Sequence, residues 1–346
     1  MNQTGATAVI RREWEGTSGD EEATTMGRAR RWLRWVQPLG GAIVVVALLW
    51  RIGPAPVVDA LGRIDAWSLV AVSGIALVTT ACTSWRWVLV ARGLGLDLSL
   101  REAVTASYRS QFLNVSLPSG VVGDVHRGLS HGRATGDVGR ALRSVVWERS
   151  AGQAVQLCLA GLVVLIVPSP FRSQLLAAPA LLGTAATAAM AALVAIVLLA
   201  TRRSRSRVAH GLHAVTTDVR HAVLGRGTWP GVVGASIVAV AGHVATFLIA
   251  ARTAGIVASP LGLVPIAFVV LLAMALPVNL AGWGPREGAA AWAFGTAGLG
   301  AVQGFATAVV YGGLVLVASL PGAVILTVSS LRRASRDRLV REDAHA

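Results

Sequence analysis

Apolar runs long enough to cross a lipid bilayer make up most of this chain, and two of them are broken in the same unusual way. Leu117-Pro118-Ser119-Gly120-Val121-Val122-Gly123-Asp124 leads on to Arg127. Leu276-Pro277-Val278-Asn279-Leu280-Ala281-Gly282-Trp283-Gly284-Pro285 leads on to Arg286-Glu287-Gly288. Each passes through Leu-Pro and two glycines to an arginine close to a carboxylate. In hydrocarbon every backbone N–H and C=O needs an internal partner, so a helix break is tolerated only where protein or a water-filled cavity surrounds it. Ionisable groups at that depth are costly and mark pathways or sites. Two such breaks, one per half, point to a transporter-like architecture built from repeats.

Composition fixes the class. Hydrophobic residues make up 54% of the 346 residues and charged residues only 14%, against about 25% charged in an ordinary soluble domain. The mean hydropathy is +0.63. The net charge of +14 comes from arginine alone, since the chain has no lysine. These arginines flank apolar runs, which fits membrane topology and contact with anionic lipid, not nucleic acid. Cys82 and Cys158 lie apart in apolar segments and read as small packing residues.

A span needs about 20 largely apolar residues. Candidates are 36–53, 67–90, 144–167, 175–200, 230–254 and 301–328, while 100–135 and 261–299 hold the breaks. Arg28, Arg30, Arg31 and Arg34, the middle group Arg202, Arg203, Arg205, Arg207, Arg220 and Arg226, and the final Arg332, Arg333, Arg336, Arg338 and Arg341 all belong inside by the positive-inside tendency. That bookkeeping closes only if 100–135 enters and leaves from the cytoplasm and 261–299 from the exterior. The expected fold class is therefore an all-α polytopic membrane bundle. It has about six full spans and two oppositely directed re-entrant hairpins, arranged as an inverted repeat. Repeat one covers about 36–167 and repeat two about 175–328, between cytoplasmic tails at 1–35 and 331–346. No cleavable signal peptide is expected, because the first apolar run lies late in the chain.

Proline removes a backbone donor and glycine permits sharp turns, so the breaks at Pro118, Gly120, Gly123, Pro277, Gly282 and Gly284 would expose half-helix ends able to meet an anion. Arginine adds a planar fork for phosphate. The candidate substrate-binding residues are Arg109, Asn114, Asp124 and Arg127 in the first hairpin, Glu148 and Arg149 in the next span, and Asn279, Trp283, Arg286 and Glu287 in the second hairpin. Adjacent residues do not face each other on a helix. Arg286 and Glu287 are therefore expected to find partners elsewhere, the first hairpin being one place. Arg86, between Trp85 and Trp87, reads as an interfacial anchor, and His243 as a packed, hydrogen-bonded histidine.

These motifs resemble the lysylphosphatidylglycerol synthase membrane-region family, described as flippase-like integral membrane proteins. The resemblance rests on Ser116 through Gly120, on Gly123-Asp124 and Arg127, on Glu148-Arg149, and on Asn279 through Gly288, and covers about 38–330. It implies the movement of lipids, notably aminoacylated phosphatidylglycerol, across the membrane. Bifunctional members add a soluble synthase domain. Here only a short arginine-rich tail follows Ser330, so a stand-alone, non-enzymatic member is expected.

The expected function is ATP-independent flipping of an anionic or zwitterionic lipid, whether phospholipid, aminoacyl-lipid or polyprenyl-phosphate-linked. The expected place is the bacterial plasma membrane, with both termini cytoplasmic. No P-loop pattern is present, and no cofactor or metal site is expected. Arg127 and Arg286 would meet phosphate. Two alternatives stand beside this: an accessory subunit working with a separate lipid-modifying enzyme or glycosyltransferase, and a membrane-embedded lipid enzyme built on Pro118-Ser119-Gly120 with His126 and His131.

Overall fold

The structure is a computed structural model that describes residues 55–117, 121–168, 218, 222–223, 225, 227–275 and 284–343. The predicted spans 36–53 and 175–200 and the break residues Pro118, Gly120, Pro277 and Gly282 lie outside these residues. So do Asn279 and Trp283. The described chain is helical throughout. Its elements are α1 (Ala55–Gly62), α2 (Ala66–Gly93), α3 (Leu100–Ser116), α4 (Val122–Thr135), α5 (Val138–Ile166), α6 (Trp229–Thr253), α7 (Pro260–Met274), α8 (Pro285–Thr296) and α9 (Ala301–Asp343).

Four of these are long and apolar enough to cross a membrane: α2, α5, α6 and the stretch Ala301–Arg332 of α9. The expected spans 67–90, 144–167, 230–254 and 301–328 fall on them. The two broken segments resolve into the pairs α3–α4 and α7–α8. At 1.5 Å per residue these four helices are about 18–26 Å long, short of a bilayer core of about 30 Å. Helices α3 and α4 fold back on each other, for Ser110 meets Asp124 while Glu102 lies near His131. A chain that returns this way enters and leaves on one side, as the arginine pattern requires.

The local sequence explains each boundary. Asp65 caps α2, its carboxylate accepting the Ser68 N–H at 2.8 Å. Helix α2 ends in a Schellman turn, with the Leu96 N–H bonded to the Ala91 carbonyl at 2.9 Å and Gly95 left-handed at φ 73°. Helix α6 ends identically, the Ile256 N–H reaching the Ala251 carbonyl at 3.0 Å with Gly255 at φ 85°. Ser99 then caps α3 and Ser259 caps α7. Ala91-Arg92, Gly95 and Ser99 recur as Ala251-Arg252, Gly255 and Ser259 at one constant offset. At the exposed cap of α3, the Ser99 hydroxyl and then its backbone N–H hold the Glu102 carboxyl below its usual range.

The repeat governs the packing as well. Under the exchange α2 with α6, α3 with α7, α4 with α8 and α5 with α9, each substantial contact among these eight helices maps onto another. Helices α2 and α6 form the central pair. Gly231 of α6 lies against Leu89 and Trp85, and Gly242 lies against Thr79 and Ile75. The two helices are therefore antiparallel, and the second copy is inverted with respect to the first.

Glycines let the hairpins close on the spans. A Cβ at Gly304 would sit 2.3 Å from the Ala290 carbonyl oxygen, and one at Gly322 would sit 2.1 Å from that of Tyr108. Overpacking of this kind costs about 1–3 kcal/mol, so Gly304→Val and Gly322→Val should each lower the thermal midpoint of the purified protein in detergent. Gly161 has nothing within 4 Å of its Cβ direction. Gly161→Ala should leave the midpoint unchanged or raise it slightly.

Candidate functional site: two arginine–carboxylate centres

The first centre draws on five helices. Arg86 comes from α2, Ser110 and Asn114 from α3, Asp124 and Arg127 from α4, Glu148 and Arg149 from α5, and Ser236 from α6. Glu148 is its hub. One carboxylate oxygen accepts from Arg86 Nε at 2.9 Å and also from an Arg86 terminal nitrogen. The other accepts from Arg127 Nη2 at 2.5 Å. Arg86 Nη1 donates to the Ser236 hydroxyl at 2.8 Å. The Arg127 guanidinium lies over Trp87, 4.7 Å from the ring centroid. Arg86, Arg127 and Glu148 are all buried.

Asp124 organises the other side. It accepts from the Ser110 hydroxyl at 3.0 Å and the Asn114 amide at 3.2 Å, and it pairs with Arg149 Nη2 at 2.6 Å. Arg127 Nε lies 3.1 Å from it, too misaligned for a hydrogen bond. Asn114 Oδ1 in turn accepts the Gly123 N–H at 2.8 Å, which fixes the first turn of α4. Gly123 is required here, for a Cβ would lie 2.1 Å from the Ser110 carbonyl oxygen. Gly152 has a matching role on α5, where a Cβ would lie 2.5 Å from Arg86 Nη1.

The centre lies deep. Arg86 precedes the end of α2 by two turns and Ser236 follows the start of α6 by two turns, so both sit about 10 Å inside the helix ends. Glu148 lies about 15 Å along α5. Charges at that depth persist only when paired and hydrogen-bonded.

The second centre is smaller. Pro285 opens α8 and Gly284 precedes it at φ 116°, a conformation open to glycine. Glu287 folds back to accept the Gly284 N–H at 2.6 Å. Arg286 then donates to Glu287 Oε1 from Nε at 2.8 Å and from Nη2 at 2.5 Å. Its guanidinium lies 5.6 Å from the Tyr311 ring centroid. The expectation that these neighbours could not pair is corrected. At a helix N-terminus the glutamate turns towards the cap, and the flexible arginine follows it.

The two centres occupy equivalent places. Asp124 and Glu287 are each the third residue of their helix, α4 and α8. Arg149 follows Asp124 by 25 positions (149 − 124), and Gly312 follows Glu287 by 25 (312 − 287). A Cβ at Gly312 would lie 2.3 Å from Arg286 Nη2. The Arg286 guanidinium therefore fills the space that a side chain at 312 would take. Each half places an arginine on the hairpin carboxylate, but α5 supplies it in one half and α8 in the other.

Of the residues singled out from sequence, Asn114, Asp124, Arg127, Glu148 and Arg149 gather in the first centre and Arg286 and Glu287 form the second. Arg109 is half-buried on α3 beside Ser110. Two expectations are overturned. Arg86 is no interfacial anchor but is 6% exposed and bonded to Glu148. His243 is not packed away: its residue is exposed, although it lies on the α6 face that carries buried Ser236 and Phe247. Ser236 is a centre residue that sequence reasoning missed altogether.

Removing one partner of a buried ion pair costs about 3–5 kcal/mol because a charge is left uncompensated. Glu148→Gln strands two arginines and should lower the thermal midpoint far more than Glu102→Gln at the exposed cap of α3, measured by unfolding in detergent.

The family model for the lysylphosphatidylglycerol synthase TM region matches residues 35–322. No curated protein and no solved structure matches the chain. The match covers both hairpins, both centres, three of the four described spans and most of the fourth. The chain is a multi-pass membrane protein and belongs to the lysylphosphatidylglycerol synthase TM-region family.

Proposed function

We infer that this protein carries an anionic or zwitterionic lipid head group across the bacterial plasma membrane while the acyl chains stay in the bilayer. The reading rests on one observation: opposed hairpins of an inverted repeat each hold an arginine–carboxylate pair inside the membrane domain. Repeats of this kind let two arrangements of one bundle expose a site to either side. The family's flippase-like membrane region points the same way. Arginine-rich segments before α6 and at the far end of α9 support a cytoplasmic position for both termini. Neither hairpin carries a nucleotide-binding loop, so transport by this chain runs without ATP hydrolysis.

The burial of Arg127 and Arg286 changes their role. Each is held by a carboxylate and packed on an aromatic ring, so they set the hairpins in place. The first centre presents Arg149 as its accessible cation, with a side chain 42% exposed.

The test is translocation in proteoliposomes of phosphatidylcholine and phosphatidylglycerol with a trace of fluorescent phosphatidylglycerol, followed by dithionite quenching. The protein should expose label from the inner leaflet. Glu287→Gln should slow this by about tenfold or more, the effect of about 1.4 kcal/mol on a barrier. Wild-type vesicles that quench no faster than protein-free ones would sink the reading.

A further inference from the structure

Helix α5 carries a polar stripe that the ion-pair network does not use. Arg149, Gln153 and Gln156 follow at steps of four and three residues, which sets them on one helix face. Ala154, Cys158, Gly161, Leu162, Leu165 and Ile166, on the other side, are exposed. The stripe therefore faces inward. It is open at Arg149, which is half-exposed, while Gln153 and Gln156 are partly buried and the buried Gln156 Nε2 has no hydrogen-bond partner among the described residues.

His243 of α6 faces the same space. It lies two turns from Ser236 and one turn from Phe247 on a face whose other members are buried, yet it is exposed itself. It is within electrostatic reach of both Arg149 and Arg86. Helices α5 and α6 run in parallel here. Gly152 and Ser236 both meet the Arg86 guanidinium, and further along Ala160 packs with Val240 and Phe268. Arg149, Gln153, Gln156 and His243 thus lie on neighbouring faces of α5 and α6 beside the first centre.

Charge sets what can enter. Arg86, Arg127 and Arg149 face Asp124 and Glu148, three cations against two anions, so the group carries one unbalanced positive charge. The other acidic residues beyond Glu22 stand at helix ends, in connections or in the final turns of α9, apart from Glu287, which is held by Arg286. Among the described residues no carboxylate at this centre is left to receive an ammonium group. The neighbouring faces of α5 and α6 offer two amides and an imidazole, groups that hydrogen-bond hydroxyls without charge.

We propose that Arg149 binds the phosphate of a lipid whose remaining head group is an uncharged polyol or sugar, laid along Gln153, Gln156 and His243. A head group bearing a free ammonium is disfavoured there. This rests on the translocation reading above and names the class of lipid that the site takes.

The experiment is native mass spectrometry of the full-length protein in detergent, offered equimolar phosphatidylglycerol, phosphatidylmethanol and lysyl-phosphatidylglycerol. The first carries phosphate and polyol, the second phosphate without polyol, and the third an added ammonium. The expected order of retention is phosphatidylglycerol, then phosphatidylmethanol, then lysyl-phosphatidylglycerol, with roughly tenfold between first and last for one charge-assisted hydrogen bond. Arg149→Gln should abolish retention of both anionic lipids. Gln153→Leu with Gln156→Leu should erase only the advantage of phosphatidylglycerol over phosphatidylmethanol, and this second variant leaves the ion pairs untouched. Lysyl-phosphatidylglycerol retained as well as phosphatidylglycerol overturns the proposal, as does undiminished binding by Arg149→Gln. If wild-type vesicles still flip a fluorescent lipid in either case, only this assignment falls. If they flip none, the translocation reading falls with it.

Discussion

The carboxylate of Glu148 holds the first half of this protein together. Its two oxygens are shared between Arg86 of α2 and Arg127 of α4, while Glu148 itself belongs to α5. Arg86 carries the connection on to Ser236 of α6, in the other half of the repeat. Three helices thus meet on one buried anion and a fourth joins through Arg86, and α2 and α6 among them form the antiparallel pair around which the repeat is arranged. Each arginine needs the shared carboxylate to offset its desolvation, and the carboxylate needs both. Such a knot favours one packing over near alternatives, because a helix shift by one turn leaves a charge alone in a low-dielectric interior.

Glycine makes that knot possible. The spans are rich in small residues, so helices approach until a guanidinium lies flat on a neighbouring backbone. Gly152 receives Arg86 and Gly312 receives Arg286. The two halves reach a common arrangement, an arginine on the third residue of a hairpin helix, through different donors. The centres are nonetheless unequal. Arg286 is 4% exposed and lies under Tyr311, whereas the Arg149 side chain is 42% exposed.

Much of this was legible in the sequence. Length and hydropathy located the four described spans to within a few residues, except that α5 begins earlier and α9 runs further. The Leu-Pro breaks and the arginine distribution required two hairpins, and α3–α4 and α7–α8 are those hairpins. The duplicated turn was legible but overlooked, because Ala91-Arg92 with Gly95 and Ser99 matches Ala251-Arg252 with Gly255 and Ser259 only at spaced positions. Arg86 was misread because its flanking tryptophans suggest an interface. What decides its place is Glu148, 62 residues away, and no local pattern reports that pairing. Arg286 and Glu287 were misread by a rule for helix interiors applied at a helix start, where the capping fold of the glutamate takes precedence.

The offset between the two arginine donors bears on how such a bundle can move. Arg149 belongs to a full span, so its distance from Asp124 depends on how the hairpin sits against α5. Arg286 and Glu287 share one helix turn, so their pairing survives any rigid displacement of α8. A movement of the hairpins therefore tests the Asp124–Arg149 contact and leaves the Arg286–Glu287 contact intact. The first hairpin is tied to α5 twice, by Asp124 on Arg149 and by Arg127 on Glu148, so loss of the first tie alone leaves α4 held to the span by the second. Only the Arg149 end of these two ties is partly exposed, for Asp124, Arg127 and Glu148 are all buried. The knot around Glu148 is thus the fixed frame of the first half, and Arg149 is the side chain through which that frame reaches its surroundings.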